Sequence, residues 1–403
     1  MARVAPVVNV ADVVALTTFA QIGTVMGIGV FPVIAPKLAV EMGVDASLIG
    51  IQISIIYGAA MLSSPFLSWM VTRWGACRAI QAGLIGSICA LALALLSNVI
   101  ALAAASVLLG LAMSMMTPAG AHILFRFSPP QHRNLVFSIK QTCVPAGWML
   151  MALIAPPVTL AFGWQAALVI VMVFAGVMAL WLQRVRAQWD DDRKPDAGVA
   201  RQAMEGMSLL WHYPVLRWLS VASLFLSGVQ LCLSSFTVTM LVHEGGYSLV
   251  AAGVMLSVTQ GAGVTARVLW GWLADRSGDC LALFTRLSAV SVVCCLAMSQ
   301  LTPQWPQLAV ALLFVVFGAT AIGWNGLFLA EVARRAPPGK VGIATSGAMV
   351  WNFAGILIGP ALFALIVRAN GSYAFTYGLL TLFALAGFAL LLLTAVHARR
   401  EAR

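Results

Sequence analysis

Uncharged apolar stretches long enough to cross a bilayer recur from one end of this 403-residue chain to the other. About 20 apolar residues suffice for one membrane span. Reading between charge clusters, the sequence predicts twelve helices near 13–35, 47–71, 79–97, 100–124, 135–158, 164–183, 218–242, 249–274, 282–301, 307–330, 342–367 and 373–396. Only 9% of the residues are charged and 61% are hydrophobic, with a mean hydropathy of +0.96. A soluble domain carries roughly 25% charged residues, so this chain has too little polar surface to fold in water. Soluble enzymes, nucleic-acid modules and disordered tails are excluded. The expected fold class is an all-α polytopic membrane protein.

The net charge of +10 is a topology signal. With the N-terminus inside, the external loops hold only Lys37 and Arg368, and Lys140 and Arg267 fall within spans. The remaining basic residues then lie on the cytoplasmic side, among them Arg73, Arg78, Arg126, Arg133, Arg334, Arg335 and Arg399-Arg400. Both termini are expected in the cytoplasm of a bacterial-type inner membrane. No short apolar segment with a cleavage site precedes the first span, so no removable signal peptide is expected. The seven cysteines lie in apolar helices or at their cytoplasmic ends without metal spacing, and are read as packed thiols. No metal site and no cofactor is expected.

Three pairs of spans are joined by tight turns, at Ser97-Asn98, at Thr159 to Gly163, and at Thr302-Pro303-Gln304-Trp305-Pro306. The one long hydrophilic segment, 184–213, separates six spans from six, and its stretch from Val199 to Trp211 is read as a short cytoplasmic helix. The expected organisation is 1–183, a linker at 184–216, and 217–403. The halves repeat. Ser68-Trp69-Met70-Val71-Thr72-Arg73-Trp74-Gly75 matches Gly271-Trp272-Leu273-Ala274-Asp275-Arg276-Ser277-Gly278 at an offset of 203. Pro129-Pro130 matches Pro337-Pro338 at 208, Ser138 and Ala146-Gly147 fall on Ser346 and Ala354-Gly355, and Gln21 matches Gln230 at 209. Near-constant offsets indicate a duplicated six-helix unit.

Gly271-x-Leu273-Ala274-Asp275-Arg276-x-Gly278, its degenerate copy at 68–75, and Gly355-x-x-x-Gly359-Pro360 together resemble the major facilitator superfamily. The resemblance covers essentially the whole chain. It implies two pseudo-symmetric six-helix bundles around a central cavity and alternating access by rocking of the halves. In the loop after span eight, Gly271 is expected to permit close helix approach. Asp275, with Arg276, Gly278 and, in the first half, Arg73, is expected to form a conformational latch. Thr72 replaces the acid in the first copy, so the charge of that latch is absent there. The alternative is that these residues only fix the loop and the topology.

Lys140 in span five and Arg267 in span eight stand seven and eight residues from the cytoplasmic ends of their spans, roughly 10–12 Å deep at helical rise. A buried charge in a span is a functional hypothesis by default. The resemblance implies that spans five and eight face each other across the halves. No Asp or Glu lies inside any span to neutralise the two cations. An anionic substrate is the simplest complement, and the planar fork of arginine suits a carboxylate. Arg267, four residues before Gly271-Trp272, resembles the span-eight arginine of oxalate–formate antiporters and monocarboxylate transporters. Two plainer readings stand beside this one: Lys140 snorkelling to the headgroups, and Arg267 bonding backbone carbonyls as part of a gate.

Gln260, Tyr57, Gln21, Gln230, Trp324-Asn325 and Trp351-Asn352 supply polar and aromatic groups within spans, either as a substrate pocket or as helix–helix hydrogen bonds. His122 and His243 sit at helix ends, where interfacial histidines are usually structural.

The expected function is secondary transport of a small organic anion, a mono- or dicarboxylate, by proton symport or anion exchange. The alternative is proton-coupled efflux of drugs or other hydrophobic compounds. Cation efflux generally uses a buried carboxylate, which the spans lack, and Ala105 to Gly110 in span four carry no arginine. No enzyme constellation and no phosphate-binding loop appears. The expected partners are the bilayer, a small anionic substrate and protons, and no nucleic acid; a bundle of this kind can work as a monomer.

Overall fold

A computed structural model describes residues 9–128, 136, 139–193, 209–337 and 341–401, with the side chains of 64–69, 72, 341–343, 346 and 400–401 left aside. Among the described residues there are twelve helices long and apolar enough to cross a membrane and no strand. They are α1 (Val10–Met42), α2 (Ile49–Trp74), α3 (Ala76–Ala94), α4 (Val99–Phe127), α5 (Cys143–Phe162), α6 (Trp164–Trp189), α7 (Pro214–His243), α8 (Leu249–Ser277), α9 (Cys280–Met298), α10 in two pieces (Gln307–Ala321 and Asn325–Arg335), α11 (Val341–Asn370) and α12 (Tyr373–Glu401). Local chemistry sets the ends. Asn9, Asn98, Ser248 and Asp279 each accept a backbone N–H as N-caps, and Gly43 and Gly278 close α1 and α8 with φ of 65° and 69°. The tight turns fall where expected, with Ser97 at φ 57° and Gly163 at φ 85°.

Two boundaries differ from expectation. Helix α6 continues to Trp189, past the expected end of the sixth span at 183, because nothing in 184–189 breaks a helix. Helix α7 begins at Pro214, a residue suited to a first helical position. Most of the helix expected at 199–211 lies outside the described residues; 209–212 is helical.

The duplication is visible atom by atom. Gly110 of α4 packs so closely on α2 that a methyl group there would overlap the Ile56 carbonyl oxygen; Gly318 of α10 stands likewise on the Thr259 carbonyl of α8. These pairs are related by the sequence offsets of 208 and 203. The same offsets relate the contacts between halves. Gly50 of α2 abuts the Pro360 carbonyl of α11, and Gly253 of α8 abuts the Ala152 carbonyl of α5. Gly58 faces Leu357, and Gly261 faces Met149. A two-fold relation therefore exchanges an α2/α11 seam with an α5/α8 seam.

Burial distinguishes the two ends of the molecule. At the end carrying the α1–α2, α7–α8 and α11–α12 turns, one apolar cluster draws on both halves, including Ile28, Ile53, Trp148, Phe236, Leu256 and Phe363. At the end carrying the chain termini each half has its own cluster, centred on Ile80, Ile123 and Leu182 in the first and on Leu216, Phe284 and Phe328 in the second. The halves are fused at the far end and separate at the termini end.

Candidate functional site

The α5/α8 seam ends at two interrupted helices. Before α5, a helical turn containing Lys140 is set off at Thr142, whose N–H and hydroxyl both donate to the Ile139 carbonyl, at 3.1 and 2.7 Å. Four residues after Gln141 stands Pro145, which has no N–H, so the Gln141 carbonyl lacks its helical donor. Helix α10 breaks over residues 322–324, freeing the Ile322 carbonyl. Arg267 occupies both vacancies. Its Nη1 donates to the Gln141 oxygen at 2.6 Å and its Nε to the Ile322 oxygen at 3.2 Å. One guanidinium thus ties a broken helix of the first half to a broken helix of the second.

Lys140 sits beside this clamp, one residue from Gln141, and only 3% of its surface is exposed. Its ammonium lies over Gly120 of α4, where a methyl group would come within 2.8 Å of Nζ. Among the described residues it has no carboxylate and no hydrogen-bond acceptor. The buried Cys143 thiol lies within the field of both cations. Insertion of such a charge costs about 2.5–3.5 kcal/mol at mid-membrane, and a missing counter-charge makes the site favourable to anions.

The remaining predicted residues divide into three groups. Around Arg267 a polar chain continues: Asn325 Nδ2 donates to the Ile322 oxygen at 3.3 Å and to Gln230 Oε1 at 2.9 Å. Gln260 donates to Ser234 Oγ at 2.9 Å, joining α8 to α7. In α1, Gln21 Oε1 and, one turn on, Thr24 Oγ1 are buried with no hydrogen-bond partner among the described residues. Outside the site, Trp324 belongs to the second half's own core, stacked on Phe284 at 5.5 Å with its indole N–H satisfied by Ala321. Trp351 packs on the same core, the Asn352 carbonyl accepts from Ser227, and Tyr57 is buried in the shared core.

At the predicted latch, Gly278 makes the left-handed cap, and Arg276 lies 5.4 Å from the Trp272 ring. The close approach expected at Gly271 is not made among the described residues: none of them lies within 4 Å of a methyl placed there, and α8 makes its tight crossings at Gly253 and Gly263 instead. Asp275 is exposed, and Arg73 lies at the exposed end of α2. In the first half the acid comes from elsewhere. Asp190, just past α6, accepts the N–H groups of Cys77 and Arg78 at 2.7 and 3.1 Å, beside Gly75 at φ 100°.

Sequence reasoning missed Gly120, the α10 break and Asp190. Pro145 was a readable signal for the freed Gln141 carbonyl; the α10 break carries no proline, and its marks are Gly323 and the Asn325-Gly326 pair.

With this geometry in place, a sequence model described as Major Facilitator Superfamily matches residues 17–360. The chain belongs to this superfamily. It is a multi-pass membrane protein. Among its relatives is a protein named as an uncharacterized MFS-type transporter, MT3072, of Mycobacterium tuberculosis (strain CDC 1551 / Oshkosh), 25% identical over 281 residues, which are 69% of this chain and 61% of the relative. A second, the probable nitrate/nitrite transporter NarK2 of the same strain, is 31% identical over 192 residues, 46% of each chain. The matched stretch is thus under two thirds of either relative's length. Among solved structures, an inward-facing, occupied bacterial homolog of the human lysosomal transporter Spinster superposes with a TM-score of 0.76 at 15% identity, covering 96% of both chains. A peptide transporter POT in complex with sulfate gives 0.75 at 16% identity, covering 97% of this chain and 94% of that one. At such identities the likeness concerns the fold.

Proposed function

We propose that this superfamily member is a secondary transporter of a small anion, of the mono- or dicarboxylate class, working by alternating access. The observation that carries this reading is the buried Lys140 ammonium, without a carboxylate among the described residues, one residue from the carbonyl that Arg267 clamps. The likeness to a relative named for nitrate and nitrite supports an anionic cargo. The distribution of lysine and arginine supports cytoplasmic termini, which makes the shared core external and the structure inward-facing.

In the mechanism, the anion enters from the termini end and pairs with the Lys140 ammonium. The Arg267 fork, with two carbonyls as its present partners, exchanges them for the stronger charge-assisted bonds of a carboxylate. Releasing Gln141 uncouples α5 from α8, so occupancy of the site and the grip of the seam become linked. Rocking then parts the Gly50–Pro360 and Gly253–Ala152 contacts and separates the shared core. Proton symport and anion exchange both satisfy this cycle.

The test is thermal stabilisation of the purified chain by carboxylates, nitrate, neutral solutes and cationic drugs, repeated with Lys140→Ala and Arg267→Ala. A ligand that binds only the folded state raises apparent stability by mass action. Stabilisation by particular carboxylates, lost in both variants, is the expected result. Stabilisation by nitrate alone would move the cargo to inorganic anions. Stabilisation by cationic drugs, indifferent to both substitutions, would overturn the anion site in favour of efflux.

A further inference from the structure

At the termini end of the second half, α9, the end of α10 and α12 enclose a cavity of about 540 Å³. Four guanidinium groups line it: Arg286 from α9, Arg334 and Arg335 from α10, and Arg399 from α12. Two carboxylates accompany them. Glu331, fully buried, is held by Arg334 and Arg335 on its own helix. Asp279 accepts the Ala282 N–H at 2.9 Å as the N-cap of α9. Among the described residues two positive charges of this cluster are therefore uncompensated. The cavity wall is apolar, formed by Leu281, Leu392, Ala395 and Ala398 on the faces of α9 and α12.

The repeat shows what belongs in such a place. Arg126 of α4 stands 208 residues before Arg334, at the equivalent end of the first half. There the chain's own acids occupy the site: Arg126 pairs with Asp191 and, at 3.2 Å, with Asp192, whose carboxylate also bonds His122 at 2.7 Å. Asp190 in turn caps α3. In the first half the segment after α6 delivers three aspartates. In the second, the end of α12 delivers Arg399 at the place of Asp191, so the one acid at Arg334 is Glu331 of α10 itself and the site has gained another cation.

We infer that this cavity binds the phosphate headgroup of an anionic phospholipid, with its acyl chains along Leu281, Leu392 and Ala395. The apolar wall distinguishes lipid from a free phosphate ion, and basic pockets between spans at the membrane edge favour acidic headgroups. The site lies in the second half alone, apart from the Lys140–Arg267 seam, and does not depend on the identity of the cargo.

The experiment uses the full chain purified in a neutral detergent, with unfolding temperature followed against added cardiolipin, phosphatidylcholine of the same acyl chains, and inorganic phosphate. Cardiolipin should raise the unfolding temperature saturably, while the other two leave it unchanged. In the double variant Arg286→Gln/Arg399→Gln the midpoint for cardiolipin should move by about thirtyfold, at roughly one kcal/mol per cation. Arg286→Lys/Arg399→Lys should retain most of the response. Native mass spectrometry of the unaltered chain, which requires no variant, should retain cardiolipin in preference to phosphatidylcholine. Equal stabilisation by phosphatidylcholine or by inorganic phosphate, an unshifted midpoint in the Gln variant, or equal retention of both lipids would overturn the inference.

Discussion

The α2/α11 and α5/α8 seams are the same contact made twice, and they differ in one respect. Each presses a glycine against a carbonyl of the opposing half, Gly50 on Pro360 and Gly253 on Ala152, and each continues inward with a second glycine against an apolar side chain. At the inner end the likeness stops. By the offsets of 203 and 208, the counterpart of Arg267 is Ser64 and that of Lys140 is Ala348, which is buried in the core of its own half. Between its two glycines the α2/α11 seam holds a hydroxyl, Ser54 Oγ donating to the Leu357 carbonyl at 2.6 Å. The α5/α8 seam ends inward at a guanidinium, beside an ammonium with no carboxylate partner among the described residues. The shared part of the two seams holds the halves together; the part that breaks the symmetry is where the proposed anion site lies.

The largest expected effect tests that asymmetry. Lys140→Ala should cost anion affinity by about 2–5 kcal/mol, the range for removing one member of a buried charge interaction, measured as a rise in the ligand dissociation constant. Ala348→Ser, at the symmetric position, should leave affinity unchanged. Next, Gly50→Val and Gly253→Val should each lower folded-state stability by about 1–3 kcal/mol through overpacking against backbone, read from thermal unfolding. Similar losses would show that the seams are mechanically alike; a loss at only one would break the comparison. Ser54→Ala should cost about 0.6 kcal/mol, typical of a hydrogen bond between spans, without altering anion binding.

The smallest effect concerns the outer rim. Burial acts to raise the Asp45 carboxyl, but the Ser47 N–H, which it accepts at 2.7 Å, and the nearby Arg368 and His243 outweigh this and hold it below its usual 3.8. An acid whose folded pKa is depressed stabilises the fold above its unfolded value, and that stability is lost as pH falls through the folded one. Asp45→Asn should therefore flatten the acid limb of the stability profile below about pH 4 by under 1 kcal/mol, given the exposure of the group.

Much of this was legible in the sequence because it rests on charge and spacing. The twelve spans, the duplication and the two isolated cations all follow from where lysine, arginine and the paired motifs fall. Trp324 and Trp351, which the sequence leaves open as pocket or helix–helix residues, lie in or against the core of the second half. The helix of Trp351 is apolar around most of its circumference, and Trp324 stands in the break of α10, so neither has a stripe to say which way it turns. Gly271 illustrates the same blindness: a glycine announces that close approach is permitted, while the neighbouring helix decides whether it happens. Gln141 became visible only through Pro145, four residues on, and the α10 break is marked by Gly323 and the Asn325-Gly326 pair alone. The aspartates at 190–192 looked like part of a solvated linker; the chain folds them back onto the ends of α3 and α4.

The glycine seams bear on how fast the halves can part. Interlocked side chains must find new rotamers before two helices separate. At Gly253 the touching surfaces are a methylene, the Ala152 carbonyl and the rigid Pro156 ring, with no side-chain torsion to unlock. Such a surface behaves as a bearing rather than a ratchet. The work of opening it there is chiefly that of wetting backbone, and water arriving at the Ala152 carbonyl, already without its helical donor because Pro156 follows four residues on, satisfies an acceptor the dry seam leaves to C–H contact alone.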